Sequence, residues 1–212
     1  MQIYAKNISD ISIELPPGFL TGEFAKTSPI GRIPALDIDG DIIPESEVIS
    51  EYLEEIYPEP SLLGSTPRET AQIRTVARIA DIYVMNNMFM VLPQVRRSTR
   101  NEAIRDLLTK QVLRGVKALE HYIGDQGFAV GKRLTIADCT VVPALFLVDN
   151  VLPTLDVENP IPSRKKVAAY WAAIQSNEYA SRTLVELHRG LAERRALTTK
   201  AKALESDRRA PP

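Results

Sequence analysis

Apolar residues along this 212-residue chain keep two rhythms, one after the other. Early on, Ile11, Ile13 and Leu15 alternate with Ser12 and Glu14, the two-residue period of a half-buried strand, and Pro16-Pro17-Gly18 ends it. After an irregular run over 18–33, Pro34 opens Ala35-Leu36-Asp37-Ile38, Asp39-Gly40 turns the chain, and Ile42-Ile43 returns. That pattern predicts a β-hairpin. From Ser46 the period lengthens. Val48, Ile49, Tyr52, Leu53, Ile56 and Tyr57 line one face of an amphipathic helix that stops before Pro58.

Beyond a Pro58-Glu59-Pro60-Ser61 linker only helical patterns follow. Thr66-Pro67-Arg68-Glu69 joins an N-cap hydroxyl, a proline at the first helical position and a glutamate at the third. The helix it opens should reach about Met90. A second carries Ile104, Leu107, Leu108, Leu113, Val116, Leu119 and Ile123, and ends at Gly124. A third starts at Thr135 and is apolar nearly all round from Cys139 to Val151, which marks the buried centre of a bundle. A fourth holds Val167, Tyr170, Trp171 and Ile174, and a fifth runs from Tyr179 to Arg195. The chain thus divides into a mixed α/β unit over 1–60, an all-helical unit over 65–195, and a charged tail, 196–212, expected to fray.

Composition narrows the function classes. With 44% apolar and 25% charged residues and a formal net charge of -1, no global field favours nucleic acid or anionic membranes. One cysteine and two distant histidines make a metal site an unpromising expectation. No apolar run approaches the ~20 residues of a membrane span, and the start lacks the layout of a signal peptide, so a cytoplasmic location is expected.

Several constellations read as structure rather than chemistry. Thr135-Ile136-Ala137-Asp138 is a capping box: the Thr135 hydroxyl accepts from the Asp138 N–H, and the Asp138 carboxylate accepts from the Thr135 N–H. Cys139, within the apolar helix, is expected to be inert. Gly127 to Arg133 falls one residue short of a phosphate loop and lacks its hydroxyl. Asp81, Tyr83, Met85, Met88 and Phe89 suit a core or interface better than a ligand pocket.

The stretch from Ser28 to Ser46 admits a second reading. A cis Ile33-Pro34 bond would turn the main-chain N–H and C=O of Ile33 outward, where an extended peptide-like ligand pairs with them as an added strand does. Glu45-Ser46 at a helix start offers a hydroxyl, free N–H groups and a partial positive charge for a carboxylate, with Glu45 facing an ammonium. A ligand with a peptide middle and an amino-acid end spans both; glutathione is one.

Here the chain resembles the cytosolic glutathione transferase family. Ser28-Pro29-Ile30-Gly31-Arg32-Ile33-Pro34-Ala35-Leu36 matches the family's loop and cis-proline strand. Glu45-Ser46 matches its γ-glutamyl site, and Gly131-Lys132-Arg133-Leu134-Thr135-Ile136-Ala137-Asp138 its second-domain helix cap. The order and spacing agree up to about residue 190. The resemblance implies a thioredoxin-like domain followed by a helical bundle, glutathione as cosubstrate held by Arg32, Ile33, Pro34, Glu45 and Ser46, a small electrophilic substrate, and a homodimer. An electrophile pocket between the domains, near Tyr83, Met88 and Phe89, is a further expectation.

The family pattern opens with a strand and a helix for which the ten residues before Ile11 leave too little room. The thioredoxin-like domain is therefore expected to lack that unit, as a truncated product or a natural variant. The family's activating Tyr, Ser or Cys ends that strand. No residue here is assigned the role, with Tyr4 and Ser9 the nearest in sequence. Three function classes stay open: glutathione conjugation, a non-catalytic binding or dimerisation module, and a glutathione-dependent isomerase, lyase or reductase.

Overall fold

The computed structural model describes the backbone of residues 1–207 and the side chains of residues 1–196. It divides into two compact units, Met1–Ala71 and Gln72–Pro212, so the division falls within a helix rather than in the proline-rich segment before it.

The first unit begins with a single helical turn, α1 (Gln2–Ala5). The alternating stretch from Ile11 to Leu15 is not a strand, and Ile13 and Leu15 stand 69% and 56% exposed. Alternation makes a strand only where a neighbour completes the hydrogen-bond ladder. Among the described residues the only sheet is a pair, β1 (Ala35–Ile38) antiparallel to β2 (Asp41–Pro44). Asp39 (φ 53°) and Gly40 (φ 97°) take the left-handed conformation that a two-residue hairpin turn demands, and Asp37 Oδ1 accepts the Gly40 N–H at 2.8 Å. One residue later α2 (Ser46–Ile56) starts.

Among the described residues the regular elements of the second unit are all helical. A continuous helix over 67–91 comprises α3 (Pro67–Arg78), seven residues of wider π-helical winding (Ile79–Met85) and α4 (Asn86–Val91). Its start is as the sequence implies: Thr66 Oγ1 accepts the Glu69 N–H at 3.2 Å, while the Glu69 carboxylate reaches the Ser65 N–H at 2.7 Å. The widened turns have no sequence signal. Two features go with them: Asn87 donates to the carbonyls of Ile82 and Tyr83, each at 3.0 Å, and α5 (Glu102–Tyr122) packs close against the segment. The closest approach is at Gly115, where a Cβ would lie 2.7 Å from Val84 Cγ2 and 2.9 Å from Tyr83 Cβ. Glycine is there for proximity, not for an unusual φ.

The apolar helix α6 (Ile136–Asn150) forms the centre, with Val141, Val142, Leu145 and Val148 wholly buried. α7 (Lys165–Ile174) and α8 (Glu178–Asp207) complete the unit. The helix α8 outruns the expected Arg195; the frayed tail otherwise lies outside the described residues. No side chain of the residue before α7 caps it. Glu120 on α5 does so instead, accepting the N–H groups of Lys166 and Val167 at 3.0 Å. Val84 and Met88 are fully buried in this core, which removes them from any exposed apolar face; Ile82, Phe89 and Met90 remain 41–49% exposed.

Candidate ligand site

Hairpin register determines which groups meet. Ala35 lies opposite Pro44, so Ile33-Pro34 and Glu45-Ser46 leave the same open end of the hairpin. Paired strands run about 4.8 Å apart, which places the loop entering β1 beside the start of α2.

On the entering side, Ser28 donates its N–H to the Phe24 carbonyl (2.8 Å) and accepts the Gly31 N–H (2.7 Å), with Gly31 at φ 63°. The chain then crosses a cis Ile33–Pro34 bond. Arg32, Ile33 and Pro34 are all exposed, Ile33 to 46%. Neither main-chain group of Ile33 has a partner among the described residues. A donor and an acceptor on one extended residue are what a peptide-like ligand needs for strand-like pairing.

On the leaving side, Glu45 precedes α2 with φ 73° and ψ 116°. This lies outside even the left-handed helical well and costs a non-glycine residue on the order of 1–3 kcal/mol. The first intrahelical bond runs from the Ile49 N–H to the Glu45 carbonyl at 2.9 Å. The N–H groups of Ser46 and Val48 therefore stand ahead of the helical ladder, and the Glu45 side chain makes no cap bond to the turn. Ser46 is exposed, as is Glu45. Unused amides, a hydroxyl and the positive end of the helix dipole together suit an anionic group; the Glu45 carboxylate beside them suits a cationic one.

Thr135 and Asp138 lie elsewhere, in the second unit, and hold structure together. Both arms of the capping box are present. The Asp138 carboxylate also accepts the Thr135 hydroxyl at 3.1 Å and, across nine residues, the Ala129 N–H at 2.8 Å. Asp138 is completely buried, and burial pushes its carboxyl above the ordinary value despite these donors. Tyr170, equally enclosed, lies near the same carboxylate, and burial and that charge raise its phenol well above the ordinary value. Its hydroxyl closes no hydrogen bond of normal geometry.

The remaining candidates have surroundings of their own. Cys139 is half-buried in α6. His188 meets the Phe146 ring edge-on at 4.9 Å and His121 meets Tyr122 at 4.8 Å. Tyr83 carries the Arg114 guanidinium 5.9 Å above its ring. Tyr4 is half-buried in α1 and Ser9 is exposed beyond it. Among the described residues no group of three or more His, Cys, Asp or Glu is placed to hold a metal, and no helix is long and apolar enough to cross a membrane.

Sequence reasoning missed the strain at Glu45 and the groups that anchor α2. The residue before a helix carries no composition signal for positive φ unless it is glycine or asparagine. The anchoring lysine, Lys6, is separated from its partners by about fifty positions.

Comparison with known proteins supplies independent findings. The model for the glutathione S-transferase N-terminal domain matches residues 1–61, and that for the C-terminal domain matches residues 102–173. Maleylacetoacetate isomerase of Pseudomonas aeruginosa is 37% identical over 132 residues, covering 61% of this chain and 62% of that protein. The match thus spans less than two thirds of that relative's length. Among solved structures, Gtt2 from Saccharomyces cerevisiae superposes with a TM-score of 0.70 at 19% identity, over 86% of this chain and 91% of that one. A maleyl pyruvate isomerase, described as a bacterial zeta-class glutathione S-transferase, gives 0.67 at 23% identity, over 85% and 87%. These likenesses establish the fold.

Proposed function

Because the chain belongs to the glutathione S-transferase family, we propose that the open end of the β1–β2 hairpin binds glutathione for thiolate chemistry on a small electrophile. The main chain of Ile33 pairs with the central residue of the tripeptide. Ser46 and the first-turn amides of α2 receive the γ-glutamyl carboxylate, Glu45 faces the ammonium, and Arg32 and Pro34 shape the loop. The observation that carries this reading is the register of Ala35 against Pro44, which brings a free strand-like residue and an uncapped helix start to one end. Free thiols titrate near pH 8.5, so attack at neutral pH requires a donor to stabilise the thiolate. No residue is assigned that role.

Calorimetry with glutathione tests the site. Ser46→Ala removes one hydrogen bond to a charged acceptor, about 1.5–3 kcal/mol, and should weaken binding by an order of magnitude or more. Absence of binding at millimolar glutathione would favour a non-catalytic assembly module.

A second reading is favoured by the relatives named maleylacetoacetate isomerase. In it the thiolate adds to one carbon of a cis carbon–carbon double bond conjugated to a carbonyl. The resulting single bond rotates, and the same thiolate leaves to give the trans isomer. Conjugation consumes glutathione and isomerisation returns it, so following free thiol during turnover of a maleyl substrate separates the two.

A homodimer and a cytoplasmic location belong to the same proposal. Ile82, Phe89 and Met90 offer apolar surface for a second copy, and the cytosol keeps thiols reduced. Light scattering should give twice the 23.6 kDa of the chain.

A further inference from the structure

The helix that carries the proposed site is held by little apolar packing. Of the eleven residues of α2 only Leu53 and Glu54 are buried, and both lie in its C-terminal half; Val48 and Ile56 are 53% and 45% exposed. The hairpin beside it has two strands only, and two strands alone are marginal. What replaces packing is a buried polar cluster at the far end. Lys6, with no exposed side-chain surface, donates from Nζ to the carbonyls of Tyr57 (2.6 Å) and Pro60 (2.9 Å) and pairs with Glu54 Oε1 at 2.9 Å. Gln2 donates to the same Oε1 at 3.1 Å and to the Ser50 carbonyl at 2.9 Å, while Glu54 Oε2 accepts the Leu62 N–H at 3.0 Å. All three ammonium protons and both carboxylate oxygens are used, and a fully satisfied buried network of this kind is rigid.

We infer that Lys6, with Gln2 and Glu54, is a positioning residue of the ligand site. It clamps the C-terminal end of α2, and through the helix it aims the N-terminal turn at the ligand. The inference rests on that turn being the glutathione site. An eleven-residue helix is about 16 Å long, so a tilt of about 5° at the clamp moves Ser46 by roughly 1.4 Å. Sites work when their groups are held to about 0.5 Å. Lys6 touches no ligand; it acts on Ser46 and the amides only through α2.

The test uses the full chain with glutathione, at a temperature where circular dichroism shows each variant folded. Lys6→Met should weaken glutathione binding about tenfold or more, and the amides of Ser46 to Ile49 should exchange faster with solvent. Gln2→Leu, which leaves the Lys6–Glu54 pair in place, should weaken binding about threefold and serves where Lys6→Met does not fold. A folded Lys6→Met or Gln2→Leu with wild-type affinity and wild-type exchange at Ser46 to Ile49 would overturn the inference. Failure of the unaltered chain to bind glutathione would instead remove the site assignment. Amide exchange, which needs no ligand, would then decide the clamp alone: faster exchange in Lys6→Met supports it, and unchanged exchange refutes it.

Discussion

The two units solve the same problem, holding a helix N-terminus, in opposite ways. At α6 both arms of the capping box are made out of water: Asp138 is completely buried and takes donors from Thr135 and Ala129. At α2 the strained Glu45 that precedes the helix makes no side-chain cap, and Ser46 and Val48 of the first turn are exposed. A cap that is complete can only stabilise, whereas one left open keeps its amides for a ligand. The contrast sets a closed helix start in the second unit against the open one proposed to bind ligand in the first, and it can be broken at several points.

The largest effect is expected at Asp138. Asp138→Ala leaves the buried N–H groups of Ala129 and Thr135 without acceptors. At roughly 1–3 kcal/mol for each such group the loss should reach about 3 kcal/mol in urea unfolding, beyond the ~1 kcal/mol of an exposed cap. A loss below 1 kcal/mol would erase the distinction between the two helix starts. The pH dependence has a definite sign. With the folded carboxyl raised by burial, native protein holds the proton longer than the unfolded chain does. The contribution is therefore fully present below the unfolded value, near 3.9, and falls as pH rises through the native one. The stability difference between wild type and Asp138→Asn should shrink over that interval as pH increases.

Gly115→Ala comes next. Its methyl would meet Val84 Cγ2 at 2.7 Å and the Tyr83 carbonyl carbon at 3.0 Å, so α5 or the widened turns must shift. Overpacking of this kind costs about 1–3 kcal/mol, and a melting temperature within a degree of wild type would show that the segment yields freely. Glu120→Gln should cost about 1 kcal/mol, because the charged acceptor at the start of α7 becomes neutral. Chemical denaturation at low ionic strength reads this loss.

The smallest expected change sharpens the comparison most. Glu45→Gly relieves a positive φ and should raise stability by about 0.5–1 kcal/mol, while weakening glutathione binding because the ammonium loses its carboxylate. Gains in both would mean that Glu45 is strained without use.

Much of the fold is legible locally. The Asp39-Gly40 turn, the Thr66-Pro67-Glu69 start and the Thr135–Asp138 box depend on residues within four positions of one another, so their side chains announce the backbone they impose. The apolar run of α6 likewise announces its own burial. At the candidate site, Ile33, Glu45 and Ser46 are legible as residue types, but their approach follows from pairing Ala35 with Pro44.

What tertiary structure alone decides has long sequence separation in common. The alternating stretch from Ile11 to Leu15 has a strand's composition and no partner, so it is not one. The π-helical turns at Ile79–Met85 go with the close approach at Gly115, about thirty residues on. Lys6 looks like any surface lysine until α2 brings Glu54 and two carbonyls around it. Periodicity and capping are written in neighbours; ladder partners, close approaches and buried charge are not, because their energies depend on groups that only the folded chain brings together.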